Sequence, residues 1–210
     1  MDILVVLEEN HGSLHRLSKE AIAGAQEIGG EVVALAIGQH ANVVAGELSS
    51  FDLTDVITVD HEMVATYNAD GYSEVIKKII EEESPKIIVA GHTYQTRDFM
   101  PRVSAGLHIP FIPDIISLSD NSFVKQVLNA KLNATASSNS DQVILSFQSA
   151  AFSEENIRSG SCSSRSFDIN LDSTIIRSIS EEPFQEAAGD VDLESADLLV
   201  SVGRGIEKEE

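Results

Sequence analysis

Cysteine is nearly absent from this 210-residue chain. Cys162 is the only one, so no intrachain disulfide can form and a reducing compartment is expected. Basic residues are scarce as well: 14 Lys and Arg stand against 34 Asp and Glu, for a formal charge of −20. A surface this acidic repels phosphate backbones and anionic lipid, which argues against nucleic acid and membranes as partners. A single nucleotide held by a few local donors is still allowed. No apolar run approaches the ~20 residues that a membrane span requires. The N-terminus MDILVVLEEN has no basic region and turns acidic early, so it does not read as a signal peptide. No internal repeat, no Ser-Gly-Gly-x-Asp phosphate loop and no Walker-type GxxxxGK(S/T) motif occurs. With 42% hydrophobic residues the chain can build a sizeable core, and a cytoplasmic protein is expected.

The stretch from Lys86 to Asp114, KIIVAGHTYQTRDFMPRVSAGLHIPFIPD, organises the rest. Ile87 to Ala90 is apolar without alternation, as in a strand buried on both faces of a parallel sheet. Gly91 ends it, and His92 to Thr96 form a polar connection. A helix follows from about Arg97, with Met100, Val103 and Leu107 at helical spacing. Pro101 fits only in a first turn, which predicts a start between Thr96 and Asp98. Ile3–Leu7, Val32–Ile37 and Val56–Val59 read as further strands. Helices are predicted from Ser13, as N-cap, to Ile28, over Asn42–Leu48 and over Tyr72–Glu82. Strand and helix thus alternate with short connections, the rhythm of a parallel, doubly wound α/β sheet with right-handed crossovers.

After Asp114 the pattern changes. Ile115–Leu118, Phe123–Leu128, Lys131–Ala136 and Val143–Phe147 are strand-like and separated by turns, which adds further strands after the α/β alternation. Ser153–Ser166 reads as a surface loop, and Phe167–Ile179 as one or two more strands. Residues 181–194 are acidic and poor in apolar side chains, as in a linker. DLLVSV, from Asp197 to Val202, again reads as a buried strand, followed by the turn Gly203-Arg204-Gly205. A βαβ unit needs roughly 30 residues, and only Gly205 to Glu210 remain after it.

ILVVLEE, VAGHTYQTRDFMPRVSAGL and above all ADLLVSVGRGIEKEE resemble the alpha subunit of electron transfer flavoproteins, over nearly the whole chain. The resemblance implies an N-terminal domain of the adenine-nucleotide alpha-hydrolase-like type over residues 1–180 that lacks a working nucleotide site. It implies an acidic linker over 181–194. Residues 195–210 would be the first strand and loop of an otherwise missing FAD domain. It further implies a carrier that is not an enzyme. Electrons would come from dehydrogenases such as the acyl-CoA dehydrogenases of fatty acid beta-oxidation. They would pass through FAD, in a heterodimer with a beta subunit, to an acceptor such as a quinone oxidoreductase. The family's flavin-contacting arginine falls on Arg204. A guanidinium is always charged and can lie against a flavin or phosphate, and Gly203 and Gly205 let the backbone approach closely. The family's further flavin contacts, a Ser-Arg segment and a Gln-x-Gly-Gln-Thr-Gly segment, do not occur here. This fragment is therefore expected to bind no FAD by itself, and to expose an apolar patch for the beta subunit.

Other candidates carry less. His92 and Thr93 lie where doubly wound folds hold ligands, which supports an alternative reading as a self-contained, stress-protein-like adenine-nucleotide-binding module. Arg97 and Asp98 suit a helix start, with Asp98 at the positive end of the dipole and Arg97 paired with an acid. His11 and His15 have i, i+4 spacing near Glu8 and Glu9, but Gly12 and Ser13 separate them from one helical face, and no metal site is expected. Glu8 and Glu9 could meet a ribose hydroxyl, or end a solvated strand. Cys162 has no activating base beside it and is not expected to be a nucleophile.

Overall fold

The computed structural model describes residues 1–119, 122–178, 180, 181, 198–203 and 205. Met1–Ser180 form one unit and Glu181–Glu210 a second, and each is taken by itself. The first unit begins with β1 (Ile3–Val6), β2 (Glu9–Asn10), β3 (Ser13–Leu14), α1 (Arg16–Ile28), β4 (Val32–Ile37), α2 (Ala41–Glu47) and β5 (Asp55–Val59). It continues with α3 (Ala69–Glu83), β6 (Ile87–Gly91), α4 (Tyr94–Leu107), β7 (Phe111–Ser119), β8 (Ser122–Val127), β9 (Leu132–Ala136), β10 (Val143–Phe147) and β11 (Ser163–Ser166).

Nine strands form one sheet in the order β11-β5-β4-β1-β6-β10-β7-β8-β9. All neighbours are parallel except β7 with β8 and β8 with β9. The apolar runs of β1, β4 and β10 are buried throughout because both sheet faces are covered. Alternate side chains point to opposite faces, so Ile3 and Val5 join Ala21, Ile22 and Ala25 of α1 in one core. Leu4 and Val6 join Val75 and Ile79 of α3 and Met100 and Val103 of α4 in the other. This is the doubly wound α/β arrangement that the alternation predicts. Gly24 lets α1 approach the sheet: a Cβ there would lie 2.5 Å from the Phe147 ring.

Several local expectations are corrected. Ser13 does not cap α1; it lies in the hairpin β2-β3, turned by His11 and Gly12 at φ 50° and 83°. His15 is the cap instead, its Nδ1 accepting from the Leu17 N–H at 3.1 Å. Helix α4 starts at Tyr94, not near Arg97, because Thr93 caps it through a 3.1 Å bond from the Thr96 N–H. Pro101 therefore sits inside the helix, where it leaves the Arg97 carbonyl without its usual donor. Within Ser153–Ser166, Ser163–Ser166 is a strand, β11, paired in parallel with β5 at the sheet edge. Phe167–Ser178 forms no strand. Phe167, Ile169 and Leu171 turn their side chains onto the second core, and Asp172 caps a short 3-10 turn over Ser173–Ile175. Ile179 lies outside the described residues.

The last three sheet strands form an arm. β8 pairs antiparallel with β7 and β9, and no residue of β8 or β9 is fully buried. At its tip Leu128 is 69% and Leu132 57% exposed. At its base β7 departs from regular pairing on both sides. Leu145 pairs with Ile112 and Phe147 with Ile115, so two steps along β10 meet three along β7. On the other side Ile115 meets Lys125 and Ser117 meets Val124. Such bulges bend a strand and re-aim the residues beyond them.

In the second unit, Leu198–Val202 is not a strand and is exposed, contrary to the expected buried strand. The described residues of that unit contain no strand for it to pair with, and a ladder requires one. Asp197 and the linker residues 182–194 lie outside the described residues.

Candidate functional site

Strand order reverses between β1 and β6, the switch point at which open α/β sheets hold ligands beyond the carboxyl ends of their strands. A cleft of about 530 Å³ opens there, lined by residues that include Glu8, His15, His92, Thr93, Tyr94 and Arg97. Gly91 permits its tight floor, since a Cβ there would lie 2.7 Å from the Leu17 Cβ.

The His92 side chain reaches residues of two strands. Its Nδ1 lies 2.8 Å from Ser146 Oγ on β10, and its Nε2 lies 4.0 Å from Asp114 Oδ1 on β7. Burial holds its imidazole below the ordinary histidine range; Asp114 opposes this, and Arg97 and Lys125 reinforce it. Thr93 is occupied in capping α4. Contrary to the expected ion pair, Arg97 pairs with no acid among the described residues and lies over the exposed Tyr94 ring, 5.6 Å from its centroid. Asp98 accepts from the Tyr67 hydroxyl at 2.9 Å and from Arg102 at 3.1 Å, a structural role.

The acidic pair beyond β1 is divided. Glu9 accepts from the Gly12 N–H at 2.6 Å and so closes the β2-β3 turn. Glu8 Oε2 is sealed from solvent and has no hydrogen-bond partner among the described residues. An unpartnered carboxylate oxygen disfavours a phosphate beside it. His11 lies in the turn and His15 at the cap, and no group of three or more metal-ligating side chains occurs among the described residues. Cys162 Sγ lies 3.0 Å from the Leu48 carbonyl, and burial raises its thiol pKa. It is held as a donor, the opposite of a thiolate nucleophile.

Arg204 lies outside the described residues. Gly203 and Gly205 are exposed, with open space where a Cβ would stand. That openness admits close approach of a flat ligand, but the described residues build no flavin pocket around them.

The electron transfer flavoprotein domain family has a sequence model that matches residues 3–169. The chain belongs to that family. Among curated relatives, the electron transfer flavoprotein subunit alpha of Bacillus subtilis strain 168 is 30% identical over 217 residues, covering 99% of this chain and 66% of the relative. The corresponding subunit alpha of Thermoanaerobacterium thermosaccharolyticum is 27% identical, covering 98% and 66%. The acryloyl-CoA reductase electron transfer subunit beta of Anaerotignum propionicum is 26% identical, covering 99% and 66%. The chain thus spans 66% of the length of these relatives. The matched residues 3–169 include β1 through β11, and with them the cleft, the arm and the bulge at its base.

The capping of α4 by Thr93 and the link from His92 to Ser146 escaped sequence reasoning. The first had a signal in the Thr93-Tyr94-Gln95-Thr96 order. The second joins residues 54 apart and had none. No helix among the described residues is long and apolar enough to cross a membrane.

Proposed function

We propose that the chain is the alpha-type part of an electron transfer flavoprotein, a carrier without substrate chemistry of its own. In this reading it passes electrons from dehydrogenases, such as those acting on acyl-CoA, through an FAD held jointly with a beta subunit. A quinone oxidoreductase is the proposed acceptor. The family match over residues 3–169 carries the reading. Residues 1–180 are assigned to the docking domain, 181–194 to the linker and 195–210 to the start of the flavin domain. When bound, FAD supplies the one- and two-electron chemistry. Arg204 would hold it by charge, with Gly203 and Gly205 keeping the backbone close, and the other contacts would come from sequence outside these 210 residues.

The β7–β9 arm is the proposed seat of the beta subunit. Its edge strand β9 has one sheet neighbour, and Leu132 at its start and Leu128 in the turn before it are exposed. An open edge with apolar flanks is a template for pairing with another chain. Residues 111–136 carry two Asp and two Lys, so this surface is neutral on a chain of charge −20 and does not repel a partner.

The test is the visible absorption spectrum of the intact protein, co-purified with its beta subunit, beside that of this chain alone. A flavin spectrum in the complex that Arg204→Ala weakens supports the reading. A complex that stays colourless with added FAD overturns it. The switch-point cleft favours a second reading, adenine-nucleotide binding by the chain alone, and AMP or ATP binding in calorimetry would select it.

A further inference from the structure

The bulge at the base of the arm leaves one backbone donor without a ladder partner. Asp114 has no register partner on β10, and its N–H donates to Ser146 Oγ at 3.2 Å. Asp114 itself is held at φ 64°, a left-handed conformation that is unusual for an L residue in a strand. Ser146 is completely buried, so its single hydroxyl proton must also find an acceptor inside the protein. Among the described residues the one side-chain partner placed to accept it is His92 Nδ1, 2.8 Å away, which does so when the ring carries its proton on Nε2. The chain of donors therefore runs from Asp114 N–H to Ser146 Oγ–H to His92 Nδ1, and leaves the imidazole proton on Nε2. It ties β7, β10 and the loop after β6 together at the point where the sheet passes from parallel core to antiparallel arm.

Protonating His92 places a hydrogen on Nδ1. Ser146 Oγ then faces two donors, and its own proton loses its acceptor in a dry site. A buried, unpaired hydroxyl is strongly disfavoured. Five groups set the charge around the ring. Asp114 on β7 favours the imidazolium, Arg97 on α4 and Lys125 on β8 oppose it, and Glu8 and His15 share the cleft that the ring lines.

We propose that His92, acting through Ser146, is a proton-operated catch on the arm: neutral His92 holds the Asp114 bulge and protonated His92 releases it, loosening the surface on which a partner subunit docks. The docking part rests on the reading given under Proposed function. The catch is a property of this chain alone. His92 is a positioning residue here and touches no cofactor.

The sign follows from the depressed imidazole. Between the folded value and the ordinary unfolded one near 6.5, the opened arm binds a proton that the closed arm does not, so closure strengthens as pH rises through that window. One linked proton changes the opening equilibrium by at most about tenfold per pH unit.

The experiment is amide hydrogen exchange by NMR on the arm residues Lys125–Val127 and Ala134–Ala136 between pH 5 and 8, corrected for intrinsic exchange. Imidazole 15N shifts report the His92 tautomer in the same samples. The expected result is the Nε2–H tautomer at neutral pH and an arm that opens progressively on acidification. His92→Gln keeps an acceptor but cannot titrate, and should flatten the profile. Ser146→Ala should leave the arm open at every pH while the exchange of β1 and β4 is unchanged. A wild-type-like profile in His92→Gln, or an Nδ1–H tautomer, overturns the catch. Beta-subunit affinity measured over the same pH range separates the two readings. A pH response that His92→Gln abolishes supports the proposal, whereas no binding at any pH removes docking on the arm and leaves the exchange profile to decide the catch.

Discussion

Adding one methyl group should have opposite effects at two helical glycines. Replacing an interior helical glycine by alanine gains about 1 kcal/mol of propensity wherever the methyl has room. Gly46 in α2 has nothing within 4 Å of a Cβ and is exposed. Gly46→Ala should stabilise by about 0.5 kcal/mol, reduced because the helix end frays. Gly24 in α1 has the same backbone conformation and a different neighbourhood. Its new Cβ would stand 2.5 and 2.8 Å from two carbons of the Phe147 ring and 3.0 Å from Phe152. These approaches lie well inside the ~3.5–4.0 Å of a relaxed carbon contact. The Phe147 ring cannot swing away, because it is buried and packs against Phe152 with centroids 4.4 Å apart. Overpacking of this kind is disfavoured by about 1–3 kcal/mol, so the clash outweighs the propensity gain. Gly24→Ala should destabilise by up to about 2 kcal/mol net. Urea unfolding followed by circular dichroism, with the two variants beside wild type, reads both signs at once. A Gly24→Ala variant as stable as Gly46→Ala would mean that α1 does not seat against β10 as described.

Removing the α4 cap with Thr93→Ala should lower stability by about 1 kcal/mol, and Thr93→Ser should restore most of it in the same denaturation assay. The side chain of Asp70 is 7% exposed and receives the Arg177 side chain at 2.7 Å and its N–H at 3.0 Å, which straps residues 170–178 onto α3. The hydrogen bond from Arg177 holds the Asp70 carboxyl below its ordinary value, so the strap is secured above that value and released as pH falls through the depressed one. Limited proteolysis should therefore cut the 170–178 segment faster on acidification below about pH 4, and Asp70→Asn should be cut readily at neutral pH. Equal cleavage of both proteins at pH 7 would refute the strap. Cys162 should react slowly with a thiol-specific disulfide reagent at pH 7.5 and at the ordinary rate once urea unfolds the chain; fast reaction in the native state would contradict its raised thiol.

The sheet core was legible because its strands are buried on both faces, and only unbroken apolar runs such as ILVV and IIVA satisfy that environment. Helix ends were less legible. Ser13 and His15 compete to start α1, and Thr93 and the Thr96–Asp98 stretch to start α4; the winners, His15 and Thr93, were decided by where the preceding hairpin and strand deliver the chain. β11 could not be read at all: SSRS carries no apolar side chain, and its pairing comes from the open edge of β5. Phe167, Ile169 and Leu171 alternate as a strand does, yet they line a core without joining a ladder, because alternation reports burial of one face and not the presence of a partner. In the cleft, His92 and Thr93 were found from their place after a buried strand. The link to Ser146 was not, because a contact across 54 residues leaves no local periodicity.

β10 has a consequence for how the protein is made. It leaves the ribosome after every other strand of the sheet but β11, yet it occupies a place between β6 and β7. Until Phe147 has emerged, β6 is a raw edge of apolar side chains and unpaired amides, the kind of surface that recruits strands from other molecules. Synthesis up to Ala136 delivers both flanks and the arm, but not the piece that joins them. Nascent chains stalled before Val143 should therefore be the aggregation-prone species, and those released after Phe147 should not be. The arm, complete before the gap is filled, must wait in place while a distant segment slots between it and the core, and such long-range closure sets a slow final step in folding.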